Sequence, residues 1–193
     1  PDLGCYSDDY VGCDTTLVFR AKDSAFRQRD LMYIYNIDAS DGSNGCTCER
    51  SVNTYCNNIP ILGVDYFRGP LDENGNELGM TYFMYYNGLG LGGNPPPNTT
   101  DPTTSQEFYN YITGKWKDGS PLTVGGNGYN PGSTNVTRYA FPGAPNNQSG
   151  WSMCSTNGGS GAGEGDRRTI QASGPLVLQP GAVNELIIGV PWV

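Results

Sequence analysis

The run from Asp166 to Trp192 constrains the fold most. Asp166-Arg167-Arg168-Thr169-Ile170-Gln171-Ala172-Ser173-Gly174-Pro175-Leu176-Val177-Leu178-Gln179-Pro180-Gly181 leads into Glu185-Leu186-Ile187-Ile188-Gly189-Val190-Pro191-Trp192. Apolar, β-favouring stretches broken by Gly-Pro and Pro-Gly pairs read as two strands joined by a turn at Pro180-Gly181. Such strands need a sheet to lie in, and the chain has the composition for one. Its 193 residues include 28 Gly, 14 Pro and 13 Tyr, with only 16% charged. That mixture is too aromatic for a disordered chain and too rich in turn residues for a helical one. The length suits one β-rich module over residues 1–193 with a real core.

Several function classes fall away at this level. The net charge is −8 and no basic run exists, so nucleic acid is excluded as a partner. No apolar run approaches the ~20 residues of a membrane helix, so no membrane span is expected. No signal peptide precedes residue 1, and Gly189-Val190-Pro191-Trp192-Val193 is an apolar strand; both features predict a fragment of a longer exported chain. The chain contains no histidine, which removes Ser-His-Asp and Cys-His catalysis and the usual zinc hydrolase sets.

Cys5, Cys13, Cys46, Cys48, Cys56 and Cys154 form an even set. In an acidic chain rich in Asn, Thr and Gly they favour disulfides and an extracytoplasmic setting over zinc. Local closures of Cys5 with Cys13, and of Cys46 or Cys48 with Cys56, are expected, leaving Cys154 for a long-range bridge. Asp38-Ala39-Ser40-Asp41-Gly42-Ser43-Asn44-Gly45 is dense in oxygen side chains. Asp38, Ser40, Asp41 and Asn44 are candidate calcium ligands, and an Asx-rich turn is the competing reading. Asp72-Glu73-Asn74-Gly75-Asn76-Glu77 reads as a hairpin turn around Asn74-Gly75.

Strands are predicted at 15–19, 31–37, 61–67, 78–86 and 137–142, with 61–67 and 78–86 paired in the middle of the main sheet. Residues 20–30 read as an exposed insertion carrying much of the positive charge. Thr104-Ser105-Gln106-Glu107 marks a helix start. Phe108, Tyr111, Ile112 and Trp116 then give one apolar face, predicting a short helix near 105–116 that docks on a sheet. The expected fold is an antiparallel β-sandwich of the jelly-roll or immunoglobulin-like kind, with long Gly/Pro/Asn-rich loops. Asn98, Asn135 and Asn147 head N-glycosylation sequons.

One ordered set of strings resembles a known family. It comprises Val11-Gly12-Cys13-Asp14-Thr15, Gly63-Val64-Asp65-Tyr66-Phe67-Arg68-Gly69-Pro70, Tyr109-Asn110-Tyr111 with Gly114-Lys115-Trp116-Lys117-Asp118-Gly119, Gly125-Gly126-Asn127-Gly128-Tyr129, Phe141-Pro142-Gly143, Gly150-Trp151, Asp166-Arg167-Arg168, and Ser173-Gly174-Pro175 with Pro180-Gly181 and Gly189-Val190-Pro191-Trp192. Over residues 11–192 the chain resembles an uncharacterised module of large secreted or cell-surface Bacteroidota proteins that carry a type IX secretion sorting domain. The resemblance implies export through that secretion machinery and a place on or beyond the cell surface. It also implies Asp-Ser/Thr O-glycosylation at Thr15 and Ser24. The stretch 20–30 and the Cys46–Cys56 loop depart from the family pattern.

The expected function is a non-catalytic structural or adhesive module, part of an extracellular assembly. Its partners are neighbouring domains or subunits that pair with the strand at 186–193. The alternative is a calcium-assisted carbohydrate-binding module, with Tyr129, Tyr139 and Trp151 stacking on glycans. A two-carboxylate glycosidase is the residual enzymatic reading, but no pattern pairs any two of Asp65, Glu107, Asp118 and Glu164. Asp166 beside Arg167 and Arg168 reads as an ion-paired anchor.

Overall fold

The computed structural model describes residues 9–21, 24–36, 58–88, 94–145, 150–156 and 165–193. Among these, the chain is mainly β with one α-helix. A four-stranded antiparallel sheet has the order β1 (Asp9–Asp14), β4 (Leu31–Asn36), β5 (Ile61–Arg68), β8 (Ile187–Gly189). Strands β2 (Leu17–Arg20) and β3 (Ala25–Gln28) form a hairpin between β1 and β4. A separate antiparallel pair joins β6 (Tyr82–Asn87) to β7 (Arg167–Ala172).

Local chemistry sets the strand ends. Asp14 accepts from the Thr16 amide at 2.8 Å and from the Thr16 hydroxyl. This Asx turn breaks the chain at Thr15–Thr16, so the strand expected over 15–19 begins only at Leu17. The stretch 20–30 expected as an exposed insertion holds the end of β2 and all of β3, a paired hairpin tied to Glu77 by Arg20 and Arg27 at 3.3 and 3.8 Å. Asp72 accepts from the amides of Asn74 and Asn76, closing the turn read from Asn74-Gly75.

Beyond that turn the pairing differs from expectation. Leu71 and Glu77 form a single bridge, and then the chain leaves the sheet. The Met80 amide donates to Asp30 Oδ1 at 2.8 Å, turning the backbone out of the plane of β5. A Cβ on Gly79 would meet the two Asp30 carboxylate oxygens at 2.4 and 2.5 Å, so the approach needs glycine. Strand β6 therefore lies beside β7, not β5. The two strands read in 166–192 likewise belong to different sheets: β7 pairs with β6, and β8 pairs with β5 across a bulge between Tyr66 and Arg68. The turn between them does fall at Pro180-Gly181, with the Ala182 amide donating to the Gln179 carbonyl. The strand expected at 137–142 shrinks to one bridge, Phe83 to Tyr139.

The core forms around β1, β4 and β6. Val11, Ile34, Phe83, Met84 and Tyr85 are buried, with Trp116, Leu122, Phe141 and Met153 packed among them. Trp116 is its hub. Its Nε1 donates to the Gly128 carbonyl at 2.9 Å, and Tyr85, Tyr111 and Tyr129 meet it edge-on at 5.7–6.3 Å. Trp116 lies outside the helix, however. Helix α1 spans Ser105–Ile112 and opens on a capping box between Thr104 and Glu107, as the sequence predicts. It stops before Gly114, whose φ of 74° no helix continues. Of the proposed apolar face only Tyr111 is buried in α1; Phe108 and Ile112 remain exposed.

Polar ties hold the layers around this core. Buried Arg167 donates to Asn87 Oδ1, and Asn87 Nδ2 donates to Thr99 at 3.0–3.1 Å. Arg168 bonds Asp101 at 2.7 Å and Asp166 at 2.9 Å, anchoring the segment before α1 to β7. Replacing Trp116 with Ala removes the hub and leaves the Gly128 carbonyl without its donor. The expected loss is about 3–5 kcal/mol of unfolding free energy, measured by urea denaturation.

Candidate functional site

The densest group of titratable side chains lies beneath the β2–β3 hairpin. Asp30 directly precedes β4 and is 5% exposed. Besides the Met80 amide on its carboxylate, its backbone carbonyl accepts from Gln171 Nε2 at 2.6 Å and the Tyr66 amide at 3.3 Å. Burial pushes the Asp30 carboxyl up from its ordinary value. The Met80 amide and Arg20 oppose that rise, while Asp65 and Glu77 add to it. Glu77 also accepts from the Gly69 amide at 3.1 Å. Gln28 Nε2 donates to the Tyr139 hydroxyl at 3.1 Å, and that hydroxyl donates to the Met80 carbonyl at 2.9 Å. Arg20, Arg27, Gln28, Asp30, Glu77 and Met80 border an open cleft of about 240 Å³.

Arg20 also borders a second cleft of about 370 Å³, with Arg29, Asp65 and Tyr66. Burial raises the Asp65 carboxyl, against the pull of Arg20 and Arg29. Asp14 moves the other way. Burial acts upward on it, but hydrogen bonds from Thr16 and the charge of Arg29, 2.8 Å away, hold its carboxyl below the ordinary range. Three arginines thus interleave with four carboxylates on one side of the sheet. Among the described residues no set of three or more His, Cys, Asp or Glu is arranged to hold a metal ion.

No family model, curated protein or solved structure matches the chain.

The residues singled out from sequence lie mostly elsewhere. Tyr129 donates its hydroxyl to Asp118 at 2.8 Å and accepts from Asn98 Nδ2. Tyr139 is bonded to Met80 and Gln28, and Trp151 donates from Nε1 to the Gly126 carbonyl at 3.0 Å while packing on Phe141. Each of these three aromatics is thus bonded into the fold. Asn98 spends its amide on Asp118 and Tyr129, beside buried Thr99 and Thr100. Asn135 and Ser24 are exposed, and Thr15 is half-buried. Cys13 is buried and its thiol donates to the Ala140 carbonyl at 3.3 Å; burial pushes that thiol upward. Cys154 is half-buried and lies beside Tyr35. Cys5, Cys46, Cys48 and Cys56, the calcium candidates Asp38, Ser40, Asp41 and Asn44, the sequon residue Asn147 and Glu164 lie outside the described residues.

Of the carboxylates weighed for glycoside chemistry, Glu107 caps α1 and Asp118 holds the Tyr129–Asn98 cluster. Only Asp65 joins the charged side of the sheet, and the sequence reading passed over Asp30, Glu77 and Arg20. The available signal was the placement of Arg20 before Ser24 and of Arg27 and Arg29 after it. That placement fits a hairpin with charges on both arms.

Because the Asp30 carboxyl is raised, the folded protein holds that proton more tightly than the unfolded chain. Its contribution to stability is full below 3.8 and is lost as pH rises through the raised folded value. Asp30→Asn keeps an acceptor for the Met80 amide and cannot ionise. Its stability relative to wild type should therefore increase as pH rises above 3.8 and level off once the wild-type carboxyl has ionised in the folded state. Urea unfolding across that range checks the trend, and a parallel offset at every pH contradicts it.

Proposed function

We propose that this chain is a non-catalytic structural or adhesive module of a secreted or cell-surface bacterial protein, working within an extracellular assembly. Its architecture is then an antiparallel sandwich, with the β1-β4-β5-β8 sheet as one layer and β6-β7 in the other. The observation that carries the reading is the edge presented by β8. One side of the strand pairs with β5, and the pairing continues through Gly63 to Pro191 and Ile61 to Val193, at 2.8 Å each. Among the described residues no strand pairs with its other side. Ile187, Ile188, Val190 and Trp192 all stay exposed, Trp192 at 73%.

A long apolar sheet edge is a template for another strand, and isolated proteins usually blunt such edges with charge or proline. Pro191 aside, this one is bare. Strand addition from a neighbouring copy or module satisfies the backbone groups and covers the aromatic ring. The opposite edge differs, because the Cys13 amide of β1 already donates to the Phe141 carbonyl at 3.3 Å. The ordered strings that resemble exported Bacteroidota modules support the extracellular setting. No helix among the described residues is long and apolar enough to cross a membrane.

Light scattering after size exclusion tests the edge. The protein should self-associate as its concentration rises, with little sensitivity to salt. Ile188→Lys and Val190→Lys should abolish association while leaving the circular dichroism spectrum unchanged. A monomer at millimolar concentration, or association untouched by both lysines, overturns the reading.

A further inference from the structure

The cleft beneath the β2–β3 hairpin has two unfilled capacities. Asp30 Oδ1 is held by the Met80 amide, but Oδ2 has no hydrogen-bond partner among the described residues. That oxygen is not sealed inside the protein; it opens into the cleft, where a ligand donor can reach it beside a largely buried residue. Arg20 lines the same cleft, and its guanidinium makes one hydrogen bond among the described residues, to Glu77 Oε1 at 3.3 Å. Most of its N–H donors therefore stay available. The cleft thus presents an acceptor at its base and a guanidinium at its rim.

We propose that this cleft binds a small carboxylate-bearing ligand that also carries a hydrogen-bond donor, either an acidic sugar or an amino acid. The ligand carboxylate sits on Arg20 and its hydroxyl or ammonium group on Asp30 Oδ2. A guanidinium fits a carboxylate with paired, charge-assisted hydrogen bonds. Other ligand classes fit less well. A bare metal cation meets the positive charges of Arg20 and Arg27, and a phosphate brings two negative charges towards Asp30 and Glu77. A neutral sugar leaves Arg20 unanswered. The cleft volume of about 240 Å³ suits one monosaccharide or amino-acid unit. Neither Asp30 nor Arg20 belongs to β8, so binding here does not depend on strand addition there.

Two-dimensional amide NMR of the whole protein, titrated with glucuronate, alanine and glucose, tests the proposal. Glucuronate or alanine should shift the amides of Gln28, Gly79 and Met80, and glucose should not. A response to glucuronate alone assigns an acidic sugar, and one to alanine alone an amino acid. Arg20→Gln should weaken binding roughly ten-fold or more. Glu77→Gln removes the counterion of Arg20 and should tighten binding, an outcome that a purely structural salt bridge does not produce. Equal responses to glucose and glucuronate overturn the proposal. So does an absence of response in the folded protein, or binding unchanged by Arg20→Gln and Glu77→Gln.

Discussion

The fold depends on the bond from the Met80 amide to the Asp30 carboxylate. Without it, the chain leaving the Asn74-Gly75 turn would be free to run back along β5 as an ordinary hairpin. With it, the backbone swings over Gly79 and carries Phe83, Met84 and Tyr85 into the core on the separate β6–β7 pair. The Asp30 backbone carbonyl binds Gln171 of β7 as well. One residue between β3 and β4 thus ties together the hairpin, the sheet and the β6–β7 pair. Its burial is costly for a carboxylate, and the Met80 amide and Arg20 offset only part of that cost.

The charge layout follows from this corner. A buried acid needs cations nearby, and the β2–β3 hairpin supplies them from outside the sheet. Glu77 then bridges the hairpin to the turn strand through Arg20, Arg27 and the Gly69 amide. Glu77 has side-chain exposure of only 21%, so these contacts are less screened than surface pairs. Structural anchoring and the proposed ligand can share this cleft without conflict, since Oδ1 holds the Met80 amide and Oδ2 faces no protein donor. The strand addition proposed for β8 would use a different surface.

Local features were legible in the sequence, and long-range pairing was not. Alternating apolar residues located β4 and β5 to within about a residue, and Thr104 with Glu107 marked the start of α1. These signals are contained within a few neighbouring residues. Pairing between 61–67 and 78–86 was a reasonable inference from the Asn-Gly turn, but a carboxylate some fifty positions away redirects the chain. Trp116 continued a helical spacing, yet Gly114 ends the helix and the indole reaches the core from a turn. The charged cleft escaped notice for the same reason. Asp30, Glu77 and Arg20 are ordinary surface-type residues until the fold collects them.

The order of strands also dictates when the structure can close. Among the described residues, the second strand beside β5 is β8, and the strand beside β6 is β7. Both arrive from residues 167–189, roughly a hundred positions after the strands they complete. Such distant pairings are slow to form, because loop-closure entropy is lost before any contact compensates it. A chain released in order presents β1 to β6 before the strands that complete β5 and β6. These two long-range pairings are therefore the last to close, when residues 167–189 reach both sheets.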